Sequence, residues 1–218
     1  MVSFSYPIAV PTSPAPAMIQ PRPRSVVAVG RSPFTLQRDK QVFDGQLLVW
    51  DITLPPIINP ADYSAWEAFF YRMNGRQGTC TFGDVTRTAP RGAYDSGQDT
   101  PLVDSSASPA PNQEGDNVLV TDGWRLSGTG LLLQSDWLQL GSGATASLHK
   151  VLTDVDSDGA GAASIDIWPR LRRTPNDNAV VTLANTVGLW ELADNEFPYD
   201  IRRAKAHHFK FTLVEALG

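Results

Sequence analysis

The chain has 218 residues, with 18 Lys and Arg against 23 Asp and Glu, a formal charge of −5, and 42% hydrophobic residues. That apolar content supports a real core and excludes an acidic disordered tail, while a pI near 5.1 argues against a nucleic-acid binder that works through a strongly basic surface. One cysteine, Cys80, excludes an internal disulfide and a cysteine-rich zinc site, and 17 glycines with 17 prolines, without a period, point to many turns and short elements.

No run of about 18 apolar residues offers a transmembrane helix. The N-terminus has no early Lys or Arg, and Pro7, Pro11, Pro14 and Pro16 interrupt what would have to be a signal core, so no secretory leader is read and synthesis is expected in the cytoplasm. Residues 1–24 read as an extended Pro-rich arm, because this proline spacing favours polyproline-like backbone and forbids a helix. Such an arm is either a loose terminus or a segment lying on a neighbouring subunit. Phe4, Tyr6, Ile8 and Val10 alternate within it and are the candidate inter-subunit contacts.

Residues 25–120 read as a β domain with one helix. Val26–Val29 is a short β-type run, Phe34–Leu36 follows a proline, and Gln41–Phe43 leads through Asp44-Gly45, a two-residue hairpin signal, into Gln46–Leu54. In that last strand Leu48, Trp50, Ile52 and Leu54 share one face, and Pro55-Pro56 stops it. A helix over about 60–73 follows, with Asn59 as N-cap, Pro60 at its first position and Asp62 in the first turn. Tyr63, Trp66, Phe69, Phe70 and Met73 form one broad apolar stripe to be buried as core against a sheet, and Asn74-Gly75 is the stop. Thr79–Phe82 reads as a strand ended by Gly83-Asp84, and residues 86–117 as a long polar loop or hairpin excursion, a feature that is usually functional or mobile.

Residues 121–218 read as an all-β sandwich or barrel portion, either separate from the first or continuous with it. Strands are expected near 117–120, 130–133, 136–140, 146–152, 162–168, 179–183, 188–192 and 209–214, evenly spaced between Gly, Asp, Asn and Pro. The fold class is therefore mainly β, a sandwich or barrel with one amphipathic helix and the extended arm.

Motifs that carry chemistry are sparse. Asp154-Val155-Asp156-Ser157-Asp158-Gly159 starts like a calcium loop, but position 12 is Ile165 instead of a bidentate glutamate, which favours a turn between strands. His149, His207 and His208 are the only histidines, and the adjacent pair would point to opposite faces of a strand. There is no nucleophile elbow, P-loop, dinucleotide fingerprint or His-Glu-x-x-His, and Cys80 reads as an inert strand thiol. No enzyme, catalytic residue, metal or cofactor is expected. Two basic patches, Arg170-Leu171-Arg172-Arg173 and Arg202-Arg203-Ala204-Lys205, are either solvated strand ends or ion pairs between copies of an acidic subunit.

The ordered set Gln46–Pro56, then Trp66-Glu67-Ala68-Phe69-Phe70-Tyr71-Arg72-Met73-Asn74-Gly75, then Gly78-Thr79-Cys80-Thr81-Phe82-Gly83-Asp84, resembles the tail-tip proteins of long-tailed bacteriophages. The later runs Leu138–Gly141, Leu148–Val151, Asp158–Gly161 and Pro169–Arg172 are similar to them as well, so the likeness covers about residues 25 to 215 and rests on motif order rather than on a catalytic signature. It implies a distal tail or baseplate structural protein: a homo-oligomeric ring, commonly a hexamer, between the tail tube protein and the baseplate hub protein, with contacts to other tail-tip proteins, located at the virion tail tip after assembly in the host cytoplasm. In such proteins a loop or hairpin from each copy reaches the tube lumen or the next ring, and 86–117 is the expected segment here. No membrane and no sequence-specific nucleic acid is expected, and the negative charge would let DNA slide past a lumen without sticking. The alternative expectation is a carbohydrate-binding β-sandwich module for host-surface attachment, with Trp124, Trp137, Trp168 and Trp190 as candidate aromatic platforms.

Overall fold

The structure is a computed structural model that describes residues 4–107, 109–201 and 206–217. In chain order the elements are β1 (Ile8–Ala9), β2 (Met18–Pro21), β3 (Arg24–Arg31), β4 (Arg38–Leu47), β5 (Val49–Thr53), α1 (Pro60–Met73), β6 (Thr79–Phe82), β7 (Leu102–Val103), β8 (Val118–Asp122), β9 (Trp137–Leu140), β10 (Ser147–Val151), β11 (Ala163–Trp168), β12 (Val181–Thr182), β13 (Gly188–Leu192), β14 (Asp200–Ile201), β15 (His207–His208) and β16 (Lys210–Glu215). The protein is mainly β, as its short alternating runs dictate.

One six-stranded sheet has the order β1-β6-β13-β16-β5-β2. Leu48, Trp50, Ile52 and Leu54 are all buried, and α1 lays its aromatic stripe on the same core, with the Trp66 and Phe211 rings 5.9 Å apart and Phe70 and Phe211 5.0 Å apart. The helix starts where expected: the Ala61 amide donates to Asn59 Oδ1 at 3.2 Å, and Asn74 turns the chain out in the left-handed region at φ 51°. Gly83, which ends β6, has no room for a side chain, because a Cβ there would lie 1.9 Å from the Thr186 carbonyl oxygen.

The second sheet has the order β12-β9-β10-β11-β8-β7 and curls back on itself. Leu102 bridges to Val180, and the Val103 amide donates to the Ala179 carbonyl at 2.8 Å, so β7 meets β12 and the sheet approaches a closed barrel around Leu119, Leu138, Ile165 and their neighbours. The barrel packs its outer face on the first sheet, where Trp137 sits 5.7 Å from Trp50 in the same cluster as Trp190. Trp50 and Trp190 lie 4.6 Å apart, and the Trp190 indole donates to the Phe82 carbonyl at 2.8 Å.

Four expectations need correction. The division at 120/121 falls inside β8, and β13 and β16 pair into the sheet built by β5 and β6, so the two sequence portions interleave in one body. Residues 86–117 are a long loop among the described residues, as one of the two expectations had it, but one packed into the body and not an excursion. They supply β7, the buried Asp99 that accepts from the Arg125 guanidinium at 2.6 Å, and the buried Asn112 that bonds to Val120 and Asp104. Residues 130–133 form no strand, only a bridge from Leu132 to Val155. Asp44-Gly45 is not a hairpin turn. It lies within β4, where the β3–β4 register jumps between Ser25 and Val27, because extra residues on one strand of an antiparallel pair make a bulge.

The arm is a fifth correction. It folds onto its own chain: β1 pairs parallel with β6 and β2 antiparallel with β5, so it closes both edges of the first sheet. Ile8 is buried, Tyr6 and Val10 pack on the same core, the Tyr6 hydroxyl donates to the Arg72 carbonyl at 2.9 Å, and the Trp66 indole donates to the Ser13 carbonyl at 3.1 Å. Phe4 lies beneath the Arg72 guanidinium. Short, proline-bearing strands are effective edge guards, because a proline offers no N–H to a further strand.

A candidate assembly surface

With its edges guarded, the first sheet offers little backbone to a partner, and the barrel offers less. The β3–β4 hairpin is different. It pairs only with itself, and neither of its outer edges meets another strand among the described residues. Every residue of β3 is exposed, and β4 is exposed from Arg38 to Gly45. The tip spans 32–37, where the Ser32 amide donates to the Gln37 carbonyl at 3.0 Å and the Ser32 hydroxyl accepts from the Phe34 and Thr35 amides. Phe34–Leu36, which follows Pro33, lies in this turn.

The composition of the hairpin is unusual for a solvated ribbon. Phe34 is 94% exposed and Val42 69%, and Val27, Val29 and Phe43 are exposed as well. The register places Val27 opposite Val42, Val29 opposite Lys40 and Arg31 opposite Arg38, so these six side chains share one face. The other distal face pairs Ala28 with Gln41 and Gly30 with Asp39. A long apolar strand edge of this kind is a template for pairing with another chain.

The base of the hairpin is clamped, and the clamp uses residues expected to bridge subunits. Arg170 pairs with Asp44, and its amide donates to Gln46 Oε1 at 2.8 Å. Arg172 grips both oxygens of Glu215, at 2.8 and 2.5 Å, and donates to the Gln46 carbonyl at 2.8 Å. Glu215 also accepts from the Leu48 amide at 3.1 Å. Arg170 and Arg172 are therefore intramolecular pairs that join the barrel to the strand leaving the hairpin, and the sequence signal for it was present in Gln46 and Asp44 but not in any spacing. Arg173 is exposed and lines, with Leu171, Pro175 and Leu189, a groove of about 610 Å3 beside this clamp. Arg202 and Arg203 lie outside the described residues.

The remaining candidates fall in the interior. Trp124, Trp137 and Trp190 are buried and Trp168 is half-buried, so the four do not form an exposed aromatic platform, since a side chain of that area is first recruited to a core. The Asp154 and Asp156 carboxylates accept from the Gln134 and Gly130 amides, and Asp158 accepts from Ala160 and Ala162 and is thereby held below the usual carboxylate range. These are turn contacts, and among the described residues no group of three or more His, Cys, Asp or Glu is placed to hold a metal ion.

Burial pushes the Cys80 thiol up to about 12. Burial, aided by the nearby Arg172 and opposed by the Pro169 carbonyl, pushes His149 down to about 4, and the neutral ring is satisfied there, with Nδ1 2.7 Å from that carbonyl and Nε2 3.0 Å from the Ser147 hydroxyl. Lys150, stacked 3.8 Å over the Trp137 ring, is lowered to about 8 by burial and by Arg87. No described helix is long and apolar enough to cross a membrane. Against known proteins, the chain matches no family, and no curated protein matches its sequence.

Proposed function

We propose that this protein is a structural subunit of a long-tailed phage tail tip, forming the distal tail ring that joins the tail tube to the baseplate hub. The observation that carries the reading is the β3–β4 hairpin, an exposed apolar ribbon with two unpaired edges on a body whose other long edges are guarded. A head-to-tail contact made by such a projection closes into a ring when the rotation allows it, and main-chain pairing supplies affinity. The ordered motifs of the sequence support the same assignment. The role first expected of the arm and of 86–117 passes to the hairpin, because those segments are occupied within their own chain.

Light scattering coupled to size exclusion, followed by electron-microscope images, tests this. The expected result is a homo-oligomer with a central opening that is lost when residues 26–43 are replaced by a short Gly-Ser turn. A chain that stays monomeric at every concentration refutes it. The carbohydrate-binding alternative calls for exposed tryptophans, and glycan-array binding abolished by Trp168→Ala would revive it.

A further inference from the structure

Resting on the ring reading, we infer that the hairpin docks by its basic valine face on the acidic barrel of the next copy. Arg31, Arg38 and Lys40 lie together with Val27, Val29 and Val42, and none of the three cations forms an ion pair with a described residue. Arg31 sits directly opposite Arg38, and like charges in that relation repel across a strand pair. The face therefore lacks the countercharge that an isolated ribbon would be expected to carry. The chain itself holds a complement. Residues 24–47 carry four cations against two carboxylates, whereas residues 83–183, which contain the barrel strands, carry thirteen carboxylates against seven cations. Among them Asp154, Asp156 and Asp158 are exposed and meet only amides. The Arg170 and Arg172 clamp holds the base of the hairpin on its own chain, while Arg31, Arg38 and Lys40 further out make no ion pair with any described residue and are left for a second copy. Docking buries the three valines and pairs the cations, the charges setting partner orientation and encounter rate while the valines supply burial.

The test compares the full-length chain with Arg31→Glu/Arg38→Glu/Lys40→Glu. Since all three side chains are exposed and without ion-pair partners among the described residues, the circular dichroism spectrum and Tm of the variant should match wild type when both are dilute enough to be dissociated. The concentration at which the oligomer half-dissociates should rise about tenfold or more, and wild type should show a similar rise in 0.5 M salt, where the Debye length shrinks to about 4 Å and screens the paired charges. In mixed isotope-labelled copies, carbodiimide should link Lys40 of one copy to a barrel carboxylate of another. An oligomer indifferent to salt and to the triple variant, with no Lys40 cross-link, overturns this docking mode and leaves the ring reading standing. A monomer under all conditions overturns both. Gel-shift binding of duplex DNA that needs the three cations, with oligomerisation unaffected, assigns the face to nucleic acid and also overturns the inference.

Discussion

Replacing Arg172 with methionine removes the cation that joins the barrel to the strand behind the hairpin. In the folded protein its guanidinium holds both oxygens of Glu215, whose side chain is only 6% exposed against 18% for Arg172, and the carboxylate is left with the Leu48 amide as its one remaining hydrogen bond when the arginine is gone. Breaking a buried pair from one side costs about 3–5 kcal/mol, because the surviving charge stays desolvated. The partial exposure of Arg172 lets water reach the gap, so the lower end, about 3 kcal/mol, applies. For a chain of this size that lowers Tm by about 6–12 °C. The double variant Arg172→Met/Glu215→Met removes the stranded charge and should recover most of the loss, short of about 1 kcal/mol for the unsatisfied Leu48 amide. Urea unfolding of wild type, both single variants and the double variant gives the coupling directly. A single-variant loss under about 1 kcal/mol, the behaviour of a surface pair, would refute the clamp as described.

Two further outcomes follow from the same geometry. Ile8→Ala should lower unfolding stability by about 2–4 kcal/mol, independent of protein concentration, because Ile8 fills the core of its own chain; a loss seen only in the oligomer's dissociation would place the arm on a neighbour instead. His149 has a folded pKa near 4 against 6.5 unfolded, so the unfolded chain binds the proton first. Stability should be intact above pH 6.5 and fall as pH drops toward 4, by about 2–3 kcal/mol at pH 4.5; in denaturant titrations this slope should flatten in His149→Asn, and an unchanged slope would exonerate the histidine.

Local patterns determined much of this fold. The helix was legible because its cap, first-turn proline, stripe and stop are all short-range, and Trp50 and Ile52 declared their face by alternation alone. Strands β9, β10, β11 and β13 were legible for the same reason. What only the tertiary structure decided is which strand edges meet. Ile8 and Cys80, or Leu102 and Val180, are paired by the closing of a sheet, and nothing in their neighbours specifies that. Asp44-Gly45 misled because a bulge and a tight turn both favour that dipeptide; the register of β3 against β4 chose between them. Arg170 and Arg172 looked like a free basic patch because charge can be counted along a chain, whereas a countercharge more than forty residues away, such as Glu215, is supplied only by folding. Conversely, Val26–Val29 was legible as a β-type run but not as an exposed one, since a sequence records that a residue is apolar and the packed body alone records that no described partner within the chain covers it.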